Sequence, residues 1–75
     1  MKMEKLVTPI DRLITTALKD SGKPLSTYRI AKCANVSWST ANAHCYKLKS
    51  LGVLDLRTVK SHTGQKKVFW QLVKE

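Results

Sequence analysis

Acidic residues are scarce in this sequence of 75 residues. It contains five Asp and Glu against 14 Lys and Arg, which gives a formal net charge of +9. No Asp or Glu lies between residues 21 and 54, although that interval carries several cations: Lys23, Arg29, Lys32, Lys47 and Lys49. Such an imbalance makes the folded chain repel itself and is most simply explained by a polyanionic partner. The composition therefore predicts that the protein binds nucleic acid.

The residues that metal and catalytic sites need are also scarce. Cys33 and Cys45 lack CxxC spacing, and two cysteines with two histidines form no zinc-binding pattern. We therefore expect free thiols, no metal and no cofactor. His44 precedes Cys45, but neighbours on a helix point about 100° apart and cannot readily share a proton. With no acidic pair, no glycine-rich phosphate loop and no carboxylate expected near His44, the sequence predicts a protein that is not an enzyme.

Long apolar runs are absent. No stretch approaches the ~20 residues that a membrane-spanning helix needs, and Asp11 and Arg12 interrupt any signal-like run near the N-terminus. A helix lying on a membrane would need a bulky apolar face opposite its lysines, whereas the apolar residues here are predicted to form a core. We therefore expect no membrane partner and an intracellular, cytoplasmic location, at the nucleoid if the source is prokaryotic.

The length and the hydrophobic fraction of 43% predict one small domain. Residues 1–7 are interpreted as an N-terminal arm and residues 8–75 as the domain. Thr8 is a predicted N-cap, with Pro9 as the first helical residue, and Gly22 is predicted to end this first helix. Between them lies an apolar stripe at helical spacing, which we expect to be buried: Ile10, Leu13, Ile14, Ala17 and Leu18.

A short extended segment at Pro24 and Leu25, two further helices and a hairpin are predicted after Gly22. Ser26 is expected to cap a second helix from Thr27 to about Ala34, and Ser37 a third helix that runs to about residue 51. The short turn between them is typical of a helix-turn-helix. The segments VLDLRTVK and KVFWQLV flank the polar loop SHTGQK and predict an antiparallel hairpin. Apolar residues fall on both parities of its second strand, so its buried face stays open.

The run IAKCANVSWSTANAHCYKLKSLGVL resembles the winged helix-turn-helix family of transcription regulators. The residues that carry the resemblance follow one another without a gap: Ala31, Asn35, Val36, Ser37, Thr40, Ala41, Leu48, Gly52, Val53 and Leu54. The resemblance implies an α+β fold of three helices followed by a β-hairpin wing. It also implies sequence-specific binding of double-stranded DNA, with helix three in the major groove and the basic wing on the phosphate backbone. Ala43 departs from the family, which often presents an Arg there.

The residues of helix three support this interpretation independently. If Ala41, Cys45, Leu48 and Leu51 face the core, the polar and aromatic side chains turn outward or to the flanks. Asn42 can then bond an adenine edge, and Ser39 or Thr40 a base or phosphate. An uncompensated helix N-terminus at residues 37–40 can offer N–H groups to a phosphate. The predicted DNA-binding residues are Arg29, Ser37, Trp38, Ser39, Thr40, Asn42, Ala43, Tyr46, Lys47, Lys60, His62, Lys66 and Lys67.

Several alternatives stay open. Trp38 could pack against helix two or the wing, and Tyr46 could only cover the core edge. A second hypothesis is a Zα-like winged helix that binds Z-form nucleic acid, because Asn42, Tyr46 and Trp70 match that family's pattern. However, its paired wing prolines are absent, and its basic positions on helix three correspond to Trp38, Ser39 and Ala43. A third hypothesis is a protein-interaction adaptor, which should expose an apolar patch instead of a basic one. A homodimer on a palindromic site, formed through the arm or first helix, is also possible.

Overall fold

The computed structural model describes residues 8–73, so the predicted N-terminal arm lies outside the described residues. Three helices, α1 (Pro9–Ser21), α2 (Thr27–Ala34) and α3 (Trp38–Ser50), and three strands, β1 (Leu25–Ser26), β2 (Leu54–Lys60) and β3 (Lys66–Leu72), make up the fold. This confirms the predicted α+β class and is compatible with a winged-helix layout. None of the described helices is both long and apolar enough to cross a membrane.

Each helix begins where a side-chain oxygen can satisfy a free backbone N–H group. Thr8 and Asp11 form a capping box at the start of α1, in which each side chain accepts from the other residue's N–H. Ser26 Oγ accepts from Arg29 N at the start of α2, at 3.2 Å. Ser37 Oγ accepts from Thr40 N at the start of α3, also at 3.2 Å. The predicted N-caps are confirmed.

The helix ends depend on residues that adopt the left-handed conformation. Gly22 follows α1 with φ 68°, and Asn35 follows α2 with φ 58°. Asn is among the few side chains that tolerate this region, and it reverses the chain tightly enough for α3 to begin at Trp38. After α3, Leu51 is still right-handed and Gly52 makes the turn into β2 with φ 80°.

The sheet joins the predicted hairpin to the short strand β1, which overlaps the predicted extended segment at Leu25. Its order is β1-β3-β2, all antiparallel, because the two residues of β1 pair with Trp70 and Phe69 of β3. Leu56 lies opposite Trp70 in β2. Since cross-strand partners share a face, the side chains of Leu25, Leu56 and Trp70 all point towards the helices. The buried face of β3 is therefore the face that carries Trp70.

The core lies between this face of the sheet and the three helices. Its fully or nearly buried members are Ile14, Leu18, Leu25, Ile30, Ala31, Ala34, Ala41, Cys45, Leu48, Leu54 and Trp70. The prediction for α1 was wrong at one position, since Leu13 is 50% exposed. A helix that packs with one stripe against a small core buries Ile14 and Leu18 and leaves Leu13 beside the contact.

Candidate nucleic-acid interface

The N-terminus of α3 is held by three hydroxyl groups. Ser37 Oγ donates to Thr40 Oγ1 at 2.9 Å and lies 3.3 Å from Ser39 Oγ. The same Ser37 oxygen accepts from Thr40 N. The Thr40 amide therefore has a partner within the chain, as the predicted Ser37 cap requires, and no acidic residue lies in the first turn of α3. The Ser39 side chain remains exposed beside this network.

One flank of α3, which we call the aromatic flank, consists of Trp38, Asn42 and Tyr46. These residues are spaced four apart, so they follow one another along one side of the helix. Trp38 is 54% exposed and Tyr46 is 49% exposed, while Asn42 is half-buried between them. Ala43 is exposed on the adjacent outward face. Trp38 therefore keeps more than half of its surface exposed to solvent.

Tyr46 is held in place by the core residue Trp70. The two rings meet edge to face, with centroids 5.0 Å apart and an interplanar angle of 88°. Trp70 is fully buried, and its Nε1 donates to Thr27 Oγ1 at 2.8 Å. The contact joins α3 to β3, and the hydrogen bond joins β3 to α2. Tyr46 thus covers the edge of the core and still exposes half of its surface.

The opposite flank of α3 is bound to a buried carboxylate, that of Asp11. Asp11 Oδ1 lies 2.7 Å from His44 Nδ1, and Oδ2 lies 2.5 Å from Lys47 Nζ and 2.8 Å from Thr8 N. Because an ionised carboxylate only accepts, His44 donates from Nδ1. We had expected no carboxylate near His44, and this expectation was wrong. Lys47, a predicted DNA contact, is instead engaged by Asp11.

Burial acts on two ionisable groups beside this flank. Burial by itself raises the pKa of Asp11, but hydrogen bonds from Lys47, Thr8 N and His44 outweigh it and hold the pKa below its ordinary 3.8. Burial, together with the charge of Asp11, raises the pKa of Cys45 to about 12. A thiolate at Cys45 is therefore not populated near neutral pH, whereas Cys33 is exposed on α2.

The predicted wing is the hairpin formed by β2 and β3, and the predicted basic residues lie on both of its faces. Lys66 lies opposite Lys60, on the same face as Thr58, Val68 and Trp70. Lys67 lies opposite Val59, on the other face. Lys66 and Lys67, both predicted DNA contacts, therefore point in opposite directions. His62 is exposed in the loop between β2 and β3.

Helix α2 contributes an exposed surface of its own. Arg29, a predicted contact, is exposed in its first turn. Tyr28 is 59% exposed, and Lys32 Nζ lies 5.2 Å from the centroid of its ring. This pair was not predicted, although the four-residue spacing of an aromatic and a cation on one helix is visible in the sequence.

Within residues 8–73, no three His, Cys, Asp or Glu side chains lie close enough together to hold a metal ion. No protein-family model matches the chain, and no curated protein matches its sequence. Its function must therefore be argued from its own residues.

Proposed function

We propose that this protein binds double-stranded DNA sequence-specifically and regulates transcription, with α3 in the major groove and the wing on the phosphate backbone. The observation that carries the proposal is the electrostatic character of α3. No acidic residue lies between positions 21 and 54, and Asp11, a carboxylate that contacts α3, is buried and bound to three donors. Among residues 8–73, the exposed side of α3 therefore offers hydrogen-bonding groups and cations to a polyanion without a repelling carboxylate.

Within this proposal the residues have different roles. The major groove is ~12 Å wide and admits a helix, so Asn42 would bond a base edge while Ser39 would reach a base or a phosphate. Lys60 and Lys66 share a wing face with Val68 and Trp70, and they would contact phosphates on the side of the wing nearest α3. Phosphate contacts fix the position on the duplex, and base contacts supply the specificity.

One domain of this size covers a short site, so two copies on a palindrome would give more usable specificity. A DNA partner would place its action inside the cell, in the cytoplasm or at the nucleoid.

Binding-site selection from random duplexes, followed by fluorescence anisotropy at several salt concentrations, tests the proposal. Each phosphate contact should steepen the slope of log K against log salt by about 0.9. Lys66→Ala should weaken binding to all duplexes, whereas the matched control Lys67→Ala, on the opposite wing face, should weaken it less. Asn42→Ala should cost about 1–3 kcal/mol at particular base pairs if its contact is bidentate. Selection without any preferred sequence, or binding that ignores salt, would refute the proposal.

The edge-to-face contact of Tyr46 with Trp70 favours a second candidate, the binding of Z-form nucleic acid. Asn42 lies on the same flank as Tyr46, and this shared side of α3 supports the Zα-like hypothesis. The wing differs, because Val68 stands where that family has proline. Circular dichroism of an alternating CG duplex separates the two candidates. Inversion of the spectrum that Tyr46→Ala abolishes would favour the Z-form, and an unchanged right-handed spectrum would favour the first proposal.

A further inference from the structure

The aromatic flank exposes two large rings, those of Trp38 and Tyr46, beside the base contacts proposed for Asn42 and Ser39. Trp38 and Tyr46 are each about half exposed, although burial of large apolar side chains normally stabilises a domain. The two residues are eight positions apart on α3, which corresponds to a separation of about 12 Å along the helix axis. Two aromatic rings are thus presented to solvent at a fixed spacing.

The flank continues onto one face of the wing. Tyr46 touches Trp70, and Val68, two residues earlier in β3, points to the same side of the sheet as Trp70. Val68 is 40% exposed, and Lys66 follows it on this face. A chain of exposed groups therefore runs from Trp38 through Tyr46 to an apolar and then a cationic side chain on the wing.

Tyr46 is also held before any ligand arrives. Its ring rests against Trp70, and Thr27 fixes the Trp70 indole through the 2.8 Å hydrogen bond. A ring that is already ordered loses less conformational entropy when a second ring stacks on it.

We propose that the aromatic flank is a binding site for the unpaired bases of single-stranded nucleic acid. In a duplex the faces of the bases are covered by their neighbours, so Trp38 and Tyr46 could not stack on them. Unpaired bases expose these faces, and stacking on aromatic rings beside a basic surface is how sequence-tolerant binding of single strands is achieved. The ~12 Å between the two residues corresponds to between three and four stacking steps of ~3.4 Å each, so the rings take non-adjacent bases and Asn42 lies between them. This goes beyond the proposed function, because it needs no reading of paired bases.

The two tryptophans allow a direct test, since Trp38 is exposed and Trp70 is fully buried. Stacking on a base should quench the fluorescence of Trp38 when oligo(dT) is added to the whole chain, and it should leave Trp70 unaffected. Trp38→Phe keeps an aromatic ring, so this variant should still bind oligo(dT) but should lose the quenching. Trp38→Leu keeps apolar bulk without a ring, and its affinity should fall roughly 5- to 150-fold, the range found when a base-stacking aromatic is removed.

Tyr28→Leu is the matched control, because Tyr28 is similarly exposed but lies on α2 beside Lys32. Its affinity for oligo(dT) should equal that of the parent chain. Absence of quenching, or equal losses in Trp38→Leu and Tyr28→Leu, would overturn the inference. An oligo(U) arm distinguishes RNA from DNA as the source of the strand. Duplex binding without oligo(dT) binding would refute this inference alone, whereas Trp38-dependent oligo(dT) binding without a preferred duplex would refute the proposed function alone.

Discussion

Replacing Asp11 by Asn should strongly destabilise the domain. The substitution keeps the size of the side chain but removes the charge that accepts from His44, Lys47 and Thr8 N at 2.7, 2.5 and 2.8 Å. Breaking a buried ion pair by changing one partner costs about 3–5 kcal/mol, and a hydrogen bond to a charged group contributes about 1.5–3 kcal/mol. The side chains of Lys47 and His44 are 36% and 22% exposed, so water can partly replace the lost carboxylate. We therefore expect a loss of about 2–4 kcal/mol.

Urea unfolding followed by circular dichroism measures this loss, and thermal unfolding gives a second measure. In a domain of this size each kcal/mol lowers Tm by about 4–8 °C. Asp20→Asn is the matched control, because Asp20 is an exposed acid on the same helix. Its effect should stay within about 0.5 kcal/mol, as expected for a surface substitution. Equal stabilities for Asp11→Asn and Asp20→Asn at neutral pH would refute the reasoning.

The pH dependence of the free energy of unfolding, compared between the parent chain and Asp11→Asn, tests the direction of the pKa shift of Asp11. Because the pKa of Asp11 in the folded chain lies below its ordinary 3.8, the unfolded chain takes up the proton first as the pH falls. The stability that Asp11 contributes is thus fully present well above the ordinary pKa of 3.8, and it is lost as the pH falls through the lowered pKa of the folded chain. The difference between the parent chain and Asp11→Asn should therefore be constant near neutral pH and shrink in acid. A difference that grows in acid would contradict the assignment.

Other substitutions test the remaining contacts. Thr27→Val removes the acceptor of the buried Trp70 Nε1 and should cost about 1–3 kcal/mol in urea unfolding; an unchanged midpoint would show that the hydrogen bond is dispensable. Gly52→Ala places a Cβ where φ is 80° but no atom lies within 4 Å, so backbone strain alone should cost about 1–2 kcal/mol, and a more stable variant would contradict this. A thiol reagent at neutral pH should modify Cys33 but not the buried Cys45 until the chain is unfolded; rapid modification of both native thiols would be inconsistent with the raised pKa of Cys45.

The helices could be predicted from the sequence because their signals are local. Thr8, Ser26 and Ser37 each accept a hydrogen bond from an amide three residues later, so the residue type and the spacing are sufficient. Gly22 and Asn35 are similarly informative, since few other residues adopt a left-handed conformation without strain. None of these features depends on a distant part of the chain.

The contacts between distant elements could not be predicted in this way. Asp11 and His44 are 33 residues apart, and Asp11 also has a sufficient local explanation as a capping residue. The pairing of β1 with β3 depends on two residues, too few to show an alternating pattern. The alternation of β3 is obscured because the wing extends beyond the helices, so Val68 is exposed although it shares the face of Trp70.

The candidate site was predicted as a set of residues but not as a surface. The placement of Lys66 and Lys67 on opposite faces of the wing could have been predicted from the sequence, because adjacent residues of a strand point to opposite faces. The ion pair of Lys47 with Asp11 could not be predicted from the sequence, since it requires the packing of α1 against α3. The exposure of Trp38 and the contact of Tyr46 with Trp70 also depend on how α3 lies on the sheet.

The position of Asp11 explains why a chain with so few acidic residues buries one of them. Paired with Asp11, Lys47 contributes little net charge to the surface of α3, so the cluster weakens the attraction of a polyanion. The Asp11 carboxylate, however, binds His44 and Lys47, which lie one turn apart on α3. The backbone amide and the carboxylate of Asp11 also both form hydrogen bonds with Thr8 at the start of α1. A domain of 8.5 kDa has a small core, and apolar contacts alone tolerate small rotations of one helix against another. Short hydrogen bonds to one fixed carboxylate do not tolerate such rotations. The cluster therefore fixes the rotation of α3 about its axis, and this rotation decides that Trp38, Asn42 and Tyr46 face outward beside the wing.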